Sequence, residues 1–222
     1  MNRRDFAASL AALAVILSGG VATAAKPPET WDGLTRVKSK GANLLYLQPG
    51  ADFRVYRRVM LDPTQVAFHK DWKRDYNGTA RFASKIDDKD MQKAVQQGGV
   101  VATELFSKAF TKGGYEVVTA PAPDVLRIST AVVNLRVNAP EVDTVGRSYT
   151  FAPEAGEATL ILEARDSTTN ALIGRVVDRK LAGDNMAYQR NRVTNRADFR
   201  QLATSWAQKS VKGLNTLKGS TP

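Results

Sequence analysis

Side chains able to do chemistry are sparse in this chain of 222 residues, which has one histidine and no cysteine. A Ser-His-Asp mechanism would run through His69, yet no Gly-x-Ser-x-Gly elbow accompanies it. A lone histidine in a polar segment also lacks the partners a site requires. Zinc needs several His or Cys ligands, and neither an EF-hand loop nor a phosphate-binding glycine loop occurs. The sequence therefore assigns no catalytic residue, no metal ligand and no cofactor. Two clusters remain as candidate binding residues. The first surrounds Asp178, which shares the parity of Leu160, Leu162 and Val176 and so falls on an apolar face. A carboxylate buried there needs a partner. It is read either as one half of an ion pair with an arginine at the sheet's end or as part of a polar binding site with Arg175 and Arg179. The second cluster is Trp72, Lys73, Arg74 and Tyr76, within a polar stretch from His69 to Asn77 expected as a loop. Aromatics among cations suit a polyanion; equally, Trp72 and Tyr76 can fasten the loop to the body.

The elements that must carry these residues centre on Asp124 to Gly183. Ala158, Leu160, Leu162 and Ala164 alternate with Thr159, Glu163 and Arg165, the period-two pattern of a half-buried strand. A second alternating run follows Asp166–Asn170, whose Asp, Ser, Thr and Asn favour turns. This is a hairpin, and setting Leu162 opposite Val176 places Glu163 opposite Arg175, an ion pair that helps fix register. The preceding run, Asp124 to Val137, changes phase between Ile128 and Val133. A bulge near Thr130–Val132 would bring Leu126, Ile128, Val133, Leu135 and Val137 to one face; burial on both sides is the other reading. Residues 138–156 are a loop with a short extended piece at Ser148–Phe151.

Two long helices flank the strands. The first, over 87–112, carries Met91, Ala94, Val95, Val101, Ala102, Leu105, Phe106, Ala109 and Phe110 on one stripe. Asp87, Asp88 and Asp90 cap its start and Gly113–Gly114 ends it. Gly98–Gly99 inside it requires a close approach to the sheet or a kink. The second, over 195–217, buries Phe199, Leu202, Ala203, Trp206, Ala207, Val211 and Leu214, with Thr194 or Asn195 as cap; a polar loop over 184–194 precedes it. Phe53 to Phe68 is extended and interrupted at Asp62–Pro63, and Asn43–Leu47 is a short extended run. Residues 25–50 form an extension that docks through Trp31 and Leu34. Residues 51–218 form a single domain, and 219–222 a disordered tail.

Residues 1–24 have the features of a cleaved signal peptide: Arg3 and Arg4, a short apolar run from Ala7 to Leu17, and Ala22-Thr23-Ala24 before the cut. Arg3-Arg4-Asp5-Phe6 leaves twin-arginine and general secretion both open. The remainder contains no run long enough for a membrane helix. The whole-chain charge of +10 has two readings for an exported protein: lysines and arginines spread over a soluble surface, which the interleaving of bases with acids and the lack of a long basic run favour, or an anionic partner such as lipid headgroups, other anionic envelope components or an acidic protein, and not nucleic acid.

Trp31-Asp32-Gly33-Leu34, Leu45-Tyr46-Leu47-Gln48-Pro49-Gly50 and Tyr56-Arg57-Arg58-Val59-Met60-Leu61-Asp62-Pro63 occur in that order, followed by Phe68 and Trp72. Further on come Asp124-Val125-Leu126-Arg127, Gly156-Glu157-Ala158-Thr159-Leu160, Arg165-Asp166-Ser167 and Asp178-Arg179. In this order the chain resembles the bacterial domain-of-unknown-function 3313 family, whose members are largely exported envelope proteins, often lipid-anchored and without an assigned activity. The chain has no lipobox cysteine, so no lipid anchor is implied. The expectation is an α+β domain with a mainly antiparallel sheet packed by two long helices. It is expected to be periplasmic or otherwise exported, with a non-catalytic binding or assembly role and an envelope protein or anionic envelope component as partner. The alternative is a periplasmic hydrolase using carboxylates such as Asp178 and Glu163. Oligomeric state is left open.

Overall fold

The computed structural model describes residues 26–79, 85–138, 150–152, 154–183, 188–190 and 192–219. In chain order these form β1 (Thr30–Trp31), β2 (Leu34–Val37), β3 (Leu44–Leu47), β4 (Arg58–Leu61), β5 (Gln65–Phe68), α1 (Trp72–Thr79) and α2 (Asp88–Lys112). There follow β6 (Glu116–Val117), β7 (Val125–Val137), β8 (Thr150–Ala152), β9 (Gly156–Asp166), β10 (Leu172–Ala182), β11 (Tyr188–Arg190) and α3 (Arg192–Gly219). The nine-stranded sheet runs β1-β2-β3-β10-β9-β7-β4-β6, with β5 also on β7, and β8 and β11 form a separate pair. Pairing is antiparallel from β1 through to β7, whereas β4 and β5 lie parallel to β7. This is the expected α+β architecture.

The hairpin β9–β10 forms in the register the alternation specifies, with Leu162 opposite Val176 and Glu163 opposite Arg175. Asp166 organises its turn. Its Oδ1 accepts from the backbone N–H groups of Thr168 and Thr169 and from both threonine hydroxyls, while Asn170 takes a left-handed φ of 60°. β7 carries a bulge, as expected, but at a different place. Its register against β9 shifts between Val133 and Arg136, and Asn134 sits at φ 52°, a conformation asparagine tolerates better than most residues. Leu126, Ile128 and Val132 before the shift and Leu135 after it pack into one core, while Val133 joins Ala131 and Ile161 on the opposite face. The sequence showed that a phase change was needed; it did not show that Val132 keeps the earlier phase.

The helices close one face of this sheet. α2 begins with a reciprocal capping box, Asp90 N–H to Asp87 and Asp87 N–H to Asp90, which satisfies two otherwise orphaned donors. Phe106 and Phe110 of α2 and Trp206, Ala207, Val211 and Leu214 of α3 meet Leu126, Leu160 and Leu162 in a single core. The glycine pair in α2 marks a close approach. A methyl at Gly99 would stand 2.8 Å from the Thr64 carbonyl, whereas one at Gly98 would sit 3.6 Å from Val66.

Four expectations need correction. Residues 72–79 are helix α1, not loop, because Trp72 packs between Phe68 (ring centroids 4.5 Å apart) and Tyr76 (5.7 Å). Residues 188–190 are strand β11; it pairs with a segment distant in sequence and carries no apolar alternation to announce it. α3 starts at Arg192, so Asn195 lies inside it and donates through Nδ2 to the Asn138 carbonyl instead of capping. Finally, the Phe53–Phe68 stretch opens with a 3-10 turn at Phe53–Val55 before β4. The stretch read as a docking extension supplies three strands of the main sheet, through the pairing of β3 with β10. The signal-peptide residues 1–24 and tail residues 220–222 lie outside the described residues.

Candidate functional site

α2 and α3 run in the same direction. They touch near their C-terminal ends, where Gly113 has no side chain to obstruct Val211 and the Tyr115 hydroxyl meets Asn215 Oδ1 at 2.6 Å. Toward their N-termini they diverge, because each is bound to a different part of the sheet. α2 is held against β5 at Gly99, and the Thr64 N–H donates to Thr103 Oγ1 at 2.8 Å. α3 is held against β10, where Trp206 Nε1 donates to Asp178 Oδ2 at 3.0 Å. The end of β7 is left uncovered between them. The result is a groove of about 1220 Å³, floored by Val66, Phe68, Val132 and Leu135 and walled by Met91, Val101, Phe199 and Ala203. Lys85, Lys93, Arg196 and Arg200 stand along it, with Asp90 the acidic residue among the lining side chains.

Trp72 also lines this groove. It is buried, and its indole N–H donates to the Val137 carbonyl at 3.1 Å. Its neighbours in sequence are held by acids: Lys73 pairs with Asp88 at 2.7 Å, and Arg74 with Asp71 and Asp75. Tyr76 is half-buried and stacked on Trp72. Of this cluster, then, Trp72 belongs to the groove wall, and α1 fixes it there. His69 contacts Arg136 Nη2 at 3.0 Å through Nδ1, and burial, followed by the Arg136 charge, lowers its pKa.

The second predicted cluster divides between the two faces of the sheet. Asp178 points toward α3 and is 1% exposed. Its partners are not arginines: Oδ2 accepts from Trp206 and Oδ1 from the Asn43 N–H at 3.1 Å, with Lys180 Nζ at 3.6 Å. By pinning Trp206, Asp178 fixes one wall of the groove. Arg175 projects from the other face, 2% exposed. Its Nε and Nη2 donate to Glu163 Oε1 at 3.0 and 2.7 Å, Nη2 also meets Asp32 Oδ2 at 2.8 Å, and the guanidinium lies 4.1 Å from the centre of the Trp31 ring. Arg165 completes the set at 2.8 Å from Glu163 Oε2. Arg179, largely exposed, pairs with Glu157. Asp178 and Glu163 thus leave the sheet on opposite sides and share no pocket.

Sequence reasoning placed Met91, Val101, Phe199 and Ala203 in the core stripes of their helices. It did not show that their N-terminal halves lack a facing partner. The one available signal was the glycine pair, which fixes where α2 meets β5. Among the described residues no three His, Asp or Glu side chains gather as a metal site, and no helix is long and apolar enough to cross a membrane.

No curated protein matches the chain in sequence. Among solved structures it is similar to PelC from Paraburkholderia phytofirmans, a dodecamer, at 14% identity over 77% of this chain and 94% of that one, with a TM-score of 0.39. It is also similar to a lipoprotein candidate from Caulobacter crescentus CB15, at 14% identity over 77% of this chain and 95% of that one, with a TM-score of 0.37. Likenesses this remote carry no inference about its chemistry. The family comparison is decisive: residues 24–210 match the family described as protein of unknown function DUF3313, and the chain belongs to it.

Proposed function

We propose that this protein is a non-catalytic exported envelope protein whose groove between α2 and α3 binds an anionic envelope component or a protein partner. One observation carries the reading: among its described lining residues the largely apolar groove has Lys85, Lys93, Arg196 and Arg200 against the one acid Asp90. Such a lining suits holding a ligand and lacks the paired acids of carboxylate hydrolysis. The sequence supports export through the signal-like features of residues 1–24. The test places a photo-crosslinking residue at Ala94, an exposed position on the groove wall, and irradiates the processed protein in envelope extract. Adducts specific to that position, absent from an exported control of equal charge, are the expected result. Adducts indistinguishable from that control, or crosslinking equal to that from a position on the opposite sheet face, would remove the reading.

A further inference from the structure

We infer that the occupant of the groove is one membrane phospholipid with an anionic headgroup, its acyl part on the apolar floor and its head between the starts of α2 and α3. This rests on the binding reading above and adds the ligand's chemistry. The groove is polarised along its length. Its inner end, where the helices converge, is lined by Val101, Ala102, Val132, Ala203 and Trp206. Its mouth holds Lys93, Arg196 and Arg200, all exposed. Among the described residues, the acids near the mouth are already engaged or enclosed. Asp87 and Asp90 are committed to each other's backbone N–H groups in the capping box, Asp88 to Lys73, and Asp198 is buried. α3 has no acid in its first turn, so the positive end of its backbone dipole adds to the cations there instead of being offset.

Length and size point the same way. The lining of α2 runs from Asp90 to Ala102, about 18 Å at the rise of an α-helix, close to the ~15 Å depth of one leaflet's hydrocarbon layer. The volume of about 1220 Å³ exceeds the roughly 300–1,000 Å³ of ordinary small-molecule pockets. A docked amphipathic helix is the competing occupant. It would carry its charges along its whole polar edge and would select cations along the full rim, whereas among the described lining residues no cation lies beyond Lys93 on α2 or beyond Arg200 on α3.

The test incubates the processed protein with phosphatidylglycerol–phosphatidylethanolamine vesicles, re-isolates it by gel filtration in high salt, and identifies retained lipid by mass spectrometry. The expected result is one phospholipid per chain, enriched in phosphatidylglycerol over the vesicle composition. Val101→Trp, and separately Ala203→Trp, reduce retained lipid to background at an unchanged Tm. Arg196→Glu combined with Arg200→Glu abolishes the phosphatidylglycerol preference. Lipid-free wild-type protein, or tryptophan variants that retain as much lipid as wild type, overturn the inference. If wild-type protein is lipid-free but the Ala94 crosslink still captures a protein, the lipid assignment fails while the binding reading stands; if neither appears, both fail.

Discussion

Arg175 and Glu163 make the strongest statement at the level of single residues, since both are 2% exposed. A charge so enclosed is tolerable only while its partner is present. Replacing Glu163 alone with Leu should cost about 3–5 kcal/mol in a urea melt, because it removes both hydrogen bonds from the buried Arg175 to Glu163 and leaves it only the half-exposed Asp32 as a carboxylate partner. Glu163→Leu combined with Arg175→Met should recover most of that loss, as apolar replacements of buried pairs do; a single variant melting like wild type would refute this account. Asp178→Ala should lower stability by about 1–3 kcal/mol through the loss of a buried acceptor for two donors. It should also change Trp206 fluorescence, whereas a pure ligand-binding role would leave the melt unchanged. Tyr56, buried and donating to Asp166 at 3.1 Å, has its pKa pushed up to about 12, first by burial and then by that carboxylate. Because the folded pKa lies above the unfolded one, its contribution is complete below pH 10 and is lost as pH rises through about 12. Comparing the alkaline absorbance titration of wild type with that of Tyr56→Phe should show one late-ionising phenol missing.

Among elements, α2 and the β9–β10 turn yield contrasting tests. Gly98→Ala should be neutral or stabilise by up to about 1 kcal/mol, since helix interiors favour alanine and the added methyl finds ordinary contact with Val66. Gly99→Ala should destabilise, because its methyl would press on backbone that cannot give way; comparing the two Tm values checks both. In the turn, hydrogen bonds from the threonine hydroxyls and backbone hold the Asp166 carboxyl well below the usual carboxylate range. A depressed carboxylate stabilises above its unfolded pKa and loses that contribution as pH falls, so wild type should lose stability below about pH 4 faster than Asp166→Asn. These elements also show what the sequence could and could not disclose. Alternation fixes the hairpin register because a one-residue slip would turn Leu160 and Leu162 to the wrong face. The helix α1 and strand β11 escaped because their evidence is tertiary: aromatic stacking on β5 in one case, pairing with β8 in the other.

For the molecule as a whole, the groove was the least legible feature. Its lining residues are the same apolar types, at the same helical spacing, that build a core. Only the distance between two anchoring points, Gly99 on β5 and Trp206 over Asp178, turns part of each stripe into an open channel. The Glu163–Arg175 ion pair is buried, since Trp31 and Asp32 of the β1–β2 hairpin close over Arg175.

α3 is the last described element, and it contributes Trp206, Ala207, Val211 and Leu214 to the central cluster. Until those 28 residues have emerged from the ribosome, Leu160 and Leu162 lack their α3 partners and the Asp178 carboxylate has no indole to bind. Hydrophobic closure therefore follows the synthesis of α3. Until then the face of β9 and β10 that α3 covers stays open, and the core cannot reach its final packing.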